Sequence, residues 1–176
     1  MLEEMATSEL ATLGGGCFWC LEAVFDQVRG VESVESGYMG GHVDQPSYRQ
    51  ICSGNTGHAE VIQIRFNPEV ITYRELLEIF FAIHDPTTLN SQGNDIGTTY
   101  RSAIYASSEA QLSEAIARRD SYQQALKAAG LASKVTTEIA MAPDFYYAET
   151  YHQQYLAKNP GGYCGLRGTG VACAGD

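Results

Sequence analysis

The chain has 176 residues, 44% of them apolar, with 11 basic against 21 acidic side chains and a formal charge of −10; this length suits one domain with a sizeable core. The negative balance excludes a protein that coats nucleic acid, because phosphate binding needs the opposite sign. No stretch approaches the roughly 20 apolar residues that a membrane helix needs.

Residues 1–8 read as a loose lead-in, residues 9–158 as a single domain, and residues 159–176 as a mobile glycine-rich tail. The opening Met1–Met5 is acidic and lacks the basic and apolar regions of a secretory signal, so a cytoplasmic location is expected. Leu10–Leu13 is a short apolar strand ended by Gly14, Gly15 and Gly16. Cys17–Val28 then reads as a helix, with Leu21, Val24, Phe25 and Val28 at helical spacing. Val31–Tyr38 is a second strand. Residues 39–58 form a long glycine-containing loop, of a length that is usually functional or disordered. Ala59–Phe66 is a strand that points Glu60, Ile62, Ile64 and Phe66 one way. Thr72 and Glu75 make a capping box for a helix running through Leu76, Leu77, Phe80 and Ile83. Residues 85–99 are a second polar loop, and Ser102–Ala106 is a strand. Ser108–Ala129 is a helix stopped by Gly130. Val135–Ile139 alternates as a strand, and Ala148–Lys158 reads as a last helix. The order β-α-β-β-α-β, then α-β-α, predicts an α+β two-layer sandwich around a split β-α-β, ferredoxin-like core.

Five cysteines are an odd count, and in a cytoplasmic chain they point to reactive, metal-binding or buried thiols more than to structural bridges. Cys17 and Cys20 lie near the start and Cys164 and Cys173 near the end, so two terminal groups can meet at one site. Cys17 opens a helix, where free backbone N–H groups and the helix dipole favour thiolate, the nucleophilic form. The bland alternative is a small buried cysteine in the core. The three glycines before it permit close approach of a substrate, but they lack the G-x-G-x-x-G spacing of a dinucleotide loop. Cys17-x-x-Cys20 fits a redox motif poorly, because Phe18 and Trp19 are bulky. Zinc fits poorly too, since Cys164 and Cys173 are too far apart for a zinc hairpin.

Phe18 and Trp19 either pack in the core or wall an apolar pocket beside Cys17. Glu60, on the apolar face of its strand, is either a desolvated general acid or a strand-end carboxylate reaching water. His58 reads as a second base or as a solvated loop residue. Glu149 and His152 are three apart on one helix face, but one such pair is no metal site, and the surrounding tyrosines suggest packing. Tyr48, Asp95 and Tyr100 fall in or beside the two loops, as turn caps or as hydroxyl and carboxylate groups of a site.

Together these segments are familiar. Gly16–Cys20, Tyr48–Gly54, Thr56–Val61, His84–Thr87, Gln92–Ser102, Glu149–Tyr155 and Gly162–Gly165 resemble, in order and over nearly the whole chain, the motif blocks of the A-type peptide methionine sulfoxide reductases. The resemblance implies reduction of the S epimer of methionine sulfoxide, free or in peptides and proteins. It implies that Cys17 attacks the sulfur, that Glu60 protonates the oxygen, and that Tyr48 and Tyr100 bind that oxygen. Asp95 would help orient the nucleophile, and Phe18 and Trp19 would hold the S-methyl group. Cys164 would resolve the Cys17 sulfenic acid, and Cys173 would carry the disulfide outward to thioredoxin. No cofactor and no metal are implied beyond an external reductant, thioredoxin or dithiothreitol, and a monomer is expected. Cys20 remains a spare thiol, an alternative resolver or core, and Cys52 is read as structural. Two other readings predict different behaviour: a dithiol oxidoreductase using Cys17 and Cys20, and a non-catalytic module that binds methionine-like side chains.

Overall fold

The computed structural model describes residues 8–161 and 168–171. Its spine is β1 (Glu9–Gly15), which pairs antiparallel with β3 (Ala59–Phe66) on one side and β6 (Ser102–Ala106) on the other. Beyond β3 lies β2 (Val31–Met39), also antiparallel. The order β6-β1-β3-β2 is the expected split β-α-β core. β7 (Glu138–Met141) extends it parallel to β6, and β8 (Tyr146–Tyr147) extends it beside β2.

Strand alternation sorts the sheet's two faces. Leu13, Ile62, Ile64 and Ile104 meet Phe18, Leu21 and Phe25 of α1 (Phe18–Phe25), Leu76, Leu77, Phe80 and Phe81 of α3 (Tyr73–Ile83), and Tyr122 and Leu126 of α4 (Glu109–Ala128) in one core. The opposite face carries a smaller cluster of Met39, Ala59, Val61, Ala103 and Tyr105. Both bonds of the Thr72–Glu75 capping box form at the start of α3. Ser108 caps α4 through the Gln111 N–H, and Gly130, at φ +82°, ends it.

Five segments depart from the sequence expectation. α1 begins at Phe18 with Cys17 as its N-cap and stops at Phe25, short of Val28. Inside the first long loop lies α2 (Tyr48–Cys52), held by a Ser47–Gln50 capping box and too short to show a period in sequence. The second polar loop folds into a hairpin of β4 (Ser91–Gln92) and β5 (Asp95–Ile96), followed by a 3-10 turn at Thr98–Tyr100. The strand expected at Val135–Ile139 starts only at Glu138, because the Val135 N–H donates to the Gln123 side chain and the Thr136 N–H to the Pro86 carbonyl.

Most changed is the expected helix over 148–158. It is a 3-10 turn at Thr150–His152, a left-handed Gln154 at φ +56°, and a four-residue α5 (Tyr155–Lys158). Tertiary hydrogen bonds override the helical pattern. Gln153 accepts from the Ser36 N–H (2.9 Å) and donates to the Ser36 carbonyl (2.8 Å), and Gln154 donates to the Val34 carbonyl. Residues 1–7, which make up most of the lead-in, and Cys164 and Cys173 of the tail lie outside the described residues.

Candidate active site

Cys17, Phe18 and Trp19 at the start of α1, Tyr48 of α2, Glu60 of β3, Asp95 of β5 and Tyr100 of the 3-10 turn line one cavity of about 140 Å³. Five separate segments deliver these residues to one hollow. Two larger hollows, of about 570 and 350 Å³, lie elsewhere beside α4 and contain neither a cysteine nor a histidine.

Glu60 is 2% exposed and accepts a hydrogen bond from the Phe18 N–H (3.2 Å), one of the free donors at the start of α1. Burial, with a smaller contribution from Asp95, pushes its carboxyl up to about 8, against the opposing Phe18 N–H. Of the two sequence readings, Glu60 is the desolvated carboxyl and not a strand-end group reaching water. At Cys17 the helix start and burial act in opposite directions. Burial first, then the Glu60 charge, push the Cys17 thiol up to about 12, outweighing the Trp19 and Cys20 N–H groups that pull it down. The helix start acts in the expected direction but is too weak alone. Below about pH 8 Glu60 is neutral, and its part of the penalty on a thiolate disappears. Burial likewise raises the Tyr48 and Tyr100 hydroxyls, which keeps them protonated and able to donate.

The aromatic wall is built from behind. The Trp19 indole N–H donates to His152 Nδ1 (3.0 Å), and its ring stacks on Tyr155 at 3.7 Å and 9°. The His152 ring stands 5.2 Å from Phe18 and 4.4 Å from Tyr48. Since Nδ1 accepts, the proton of the neutral ring sits on Nε2. Glu149 accepts from the Tyr48 N–H (2.8 Å) and the Tyr38 hydroxyl (3.0 Å). Glu149 and His152 therefore orient pocket walls, and no group of metal-binding side chains is found among the described residues. His58 is neither a base nor solvated: it is 2% exposed and ties the backbone at Gly41 and Val43.

The glycines before Cys17 serve close packing by the protein's own side chains. A Cβ on Gly15 would stand 3.2 Å from His84 and Phe80, and one on Gly16, at φ +97°, 2.8 Å from Gln92 Cγ. Gln92, which the sequence reading passed over, is 4% exposed and pairs in register with Asp95. Its amide clamps Asp85, accepting from the N–H and donating to the carbonyl, both at 2.8 Å. It thus packs the Asp95 hairpin against Gly16, the residue before Cys17. Gln92→Ala is expected to lower kcat about ten- to hundredfold and, by losing two buried hydrogen bonds, to lower Tm by about 2–8 °C. Steady-state kinetics beside calorimetry check this; a lower Tm with unchanged kcat would confine Gln92 to the fold.

Cys17 and Cys52 are free thiols. Cys20 is buried and disulfide-bonded, and its partner is not Cys17. Cys52 is exposed.

The chain is similar to known proteins over most of its length. The family model described as peptide methionine sulfoxide reductase matches residues 9–171. Peptide methionine sulfoxide reductase MsrA of Agrobacterium fabrum is 56% identical over 165 residues, covering 94% of this chain and 76% of the relative. The crystal structure of reduced Mxr1 from Saccharomyces cerevisiae superposes with a TM-score of 0.85 at 41% identity, covering 92% of this chain and 93% of that one. Mxr1 in complex with Trx2 matches with a TM-score of 0.60 at 30% identity, over 85% and 86% of the two chains.

Proposed function

The chain belongs to the peptide methionine sulfoxide reductase family and reduces methionine sulfoxide, and on that premise we propose how its own residues carry the reaction. The observation that carries the reading is the shared cavity in which Cys17 and a buried, hydrogen-bearing Glu60 face the Phe18–Trp19 wall.

The sulfoxide's methyl group lies against Phe18 and Trp19. Its oxygen points to Glu60 and the hydroxyls of Tyr48 and Tyr100. A sulfoxide oxygen leaves poorly until it is protonated, so Glu60 gives its proton to the oxygen as the Cys17 sulfur attacks the sulfoxide sulfur. The proton that Cys17 loses restores Glu60. The oxygen passes to Cys17 as a sulfenic acid and methionine leaves, a two-electron reduction of substrate matched by oxidation of the thiol. Asp95 helps orient the nucleophile from the pocket rim.

Cys164 then condenses with the sulfenic acid, forming a disulfide and releasing water. Exchange with Cys173 frees Cys17, and thioredoxin reduces the outer disulfide, with dithiothreitol serving in its place in vitro. The complex of Mxr1 with Trx2 supports this recycling. The electrons come from thiols, so the cycle runs without a bound cofactor or metal. No helix among the described residues is long and apolar enough to cross a membrane. A reducing cytoplasm and a monomeric enzyme suit this cycle. A Cys17–Cys20 dithiol mechanism is less favoured, because Cys17 is free while Cys20 is bonded to another partner.

Each sulfoxide epimer, supplied with dithiothreitol, tests the proposal. Methionine should form from the S epimer and not from the R epimer, and single turnover without reductant should give a Cys17–Cys164 link on mass mapping. Equal turnover of both epimers, or a product joined only as Cys17–Cys20, would overturn it.

A further inference from the structure

We infer that Arg101 and Glu138 are positioning residues for the reduction, acting through Tyr100, whose turn they anchor from the opposite face of the sheet. The inference rests on reading Tyr100 as a group that binds the sulfoxide oxygen.

Tyr100 lies on weak local structure. It ends the 3-10 turn Thr98–Tyr100, a tight form with poor hydrogen-bond geometry. Before the turn comes the β4–β5 hairpin, with only two residues in each strand, and an isolated hairpin is marginal in water. After it comes β6, a strand inside the six-stranded sheet. Arg101 is the one residue between the turn and that strand. A fixed Tyr100 hydroxyl therefore depends on how firmly Arg101 ties the turn to the sheet.

The tie is a closed set of hydrogen bonds. Arg101 Nη1 reaches back to the Thr98 carbonyl (2.9 Å), and the Arg101 N–H donates to the same oxygen (3.2 Å). Nε donates to Glu138 Oε1 (3.1 Å) and Nη2 to the Tyr105 hydroxyl (3.1 Å). That hydroxyl donates in turn to Glu138 Oε2 (2.8 Å). All three guanidinium nitrogens and both carboxylate oxygens are used. The anchors are strand residues: Tyr105 belongs to β6, and Glu138 opens β7 in register with Ala103. Gly40 leaves the room for this set, since a Cβ there would stand 2.9 Å from Arg101 Nη2 and collide with the Tyr105 hydroxyl.

Neither Arg101 nor Glu138 lines the cavity. Arg101 shares parity with Ala103 and Tyr105, which lie in the smaller cluster, while Glu60 sides with Ile62 and Ile64 in the main core. Arg101 therefore acts through the backbone of the turn and not on the substrate. A planar guanidinium fork fixes three directions at once, which a lysine ammonium on a flexible stem does not. A hydroxyl that must meet charge developing on the sulfoxide oxygen is sensitive to such fixing, because a misplacement of about 1 Å can cost a hundredfold in rate.

Single turnover of a peptide containing S-methionine sulfoxide, without reductant, reads the chemical step and tests this in a double-variant cycle. Arg101→Met should slow methionine formation about tenfold and Tyr100→Phe about a hundredfold. Arg101→Met added to Tyr100→Phe should slow it by less than about twofold further, because the hydroxyl through which Arg101 acts is already gone. Arg101→Lys, which keeps the charge and loses the fork, should be as slow as Arg101→Met. Glu138→Ala, on an exposed side chain of an edge strand, carries the same test if Arg101→Met does not fold: about fivefold slower alone, and no slower in the Tyr100→Phe enzyme. Losses that multiply, as they would for a merely structural role, or wild-type rates in the single Arg101 and Glu138 variants, would overturn the positioning role. A wild-type rate for Tyr100→Phe would sink the oxygen-binding reading of Tyr100 and the inference with it, a distinguishable result.

Discussion

A Glu60→Gln enzyme is expected to lose about 10²- to 10⁴-fold in kcat, the usual contribution of a positioned general acid. Glutamine keeps the size and can still accept the Phe18 N–H, so the fold and the start of α1 should survive. What disappears is the proton that makes the sulfoxide oxygen a leaving group. The pH profile follows from the same carboxyl. With its pKa raised to about 8, Glu60 carries its proton below that pH and loses it above, so wild-type turnover should fall as pH rises through about 8. The variant's residual rate should lack this fall. Stability should also fall with rising pH, over a lower window. Unfolded, the carboxyl ionises near its ordinary 4.5, while in the native state it holds its proton to about 8. The native state is therefore penalised progressively from pH 4.5 to 8, and by a constant amount above. The variant should gain stability over the wild type across that window. Rate–pH profiles and melting curves of both proteins measure these effects. A variant with wild-type kcat, or an unchanged alkaline fall, would remove Glu60 from the chemistry.

Cys17→Ser should abolish methionine formation with any reductant, down to the uncatalysed background. A serine hydroxyl is a far weaker nucleophile than a thiol and has no sulfenic acid chemistry to pass on. The position makes the test clean. Cys17 is the N-cap of α1 and makes no side-chain cap bond there, whereas serine is a preferred N-cap residue. The variant should therefore melt at the wild-type temperature or above it while being inactive. Chromatographic detection of methionine over several hours, beside a melting curve, checks both halves. The exposed Cys52 thiol remains in this variant but does not line the cavity, so measurable turnover would mean that the nucleophile lies elsewhere.

Much of the core was legible in the sequence because periodicity reports burial directly. Alternation along Ala59–Phe66 put Glu60 on the face of Ile62 and Ile64, where the structure buries it. The capping box at Thr72 and the glycine at 130 marked real helix ends. The rest was hidden for physical reasons. Tyr48, Asp95 and Tyr100 lie on elements of two to five residues, too short for any period, and only the family resemblance singled them out. Glu149 and His152 appeared to share a helix face, but Gln154 adopts a left-handed backbone that ends any helix there. Their purpose shows only in contacts more than a hundred residues away in sequence, to Tyr48 and Trp19. At Cys17 a local signal that sequence can show, the helix start, meets a non-local one that it cannot, burial beside Glu60.

The glutamine amides that break the expected last helix also change what the sheet offers to other molecules. β2 is followed in the sheet by only two residues of β8, so most of its outer backbone would be a template on which another chain adds a strand. The Gln153 and Gln154 amides fill the Ser36 and Val34 positions. A repair enzyme works among oxidised, partly unfolded polypeptides that seek such edges. With these positions already bonded, the β2 backbone there offers no free groups on which such a strand could add.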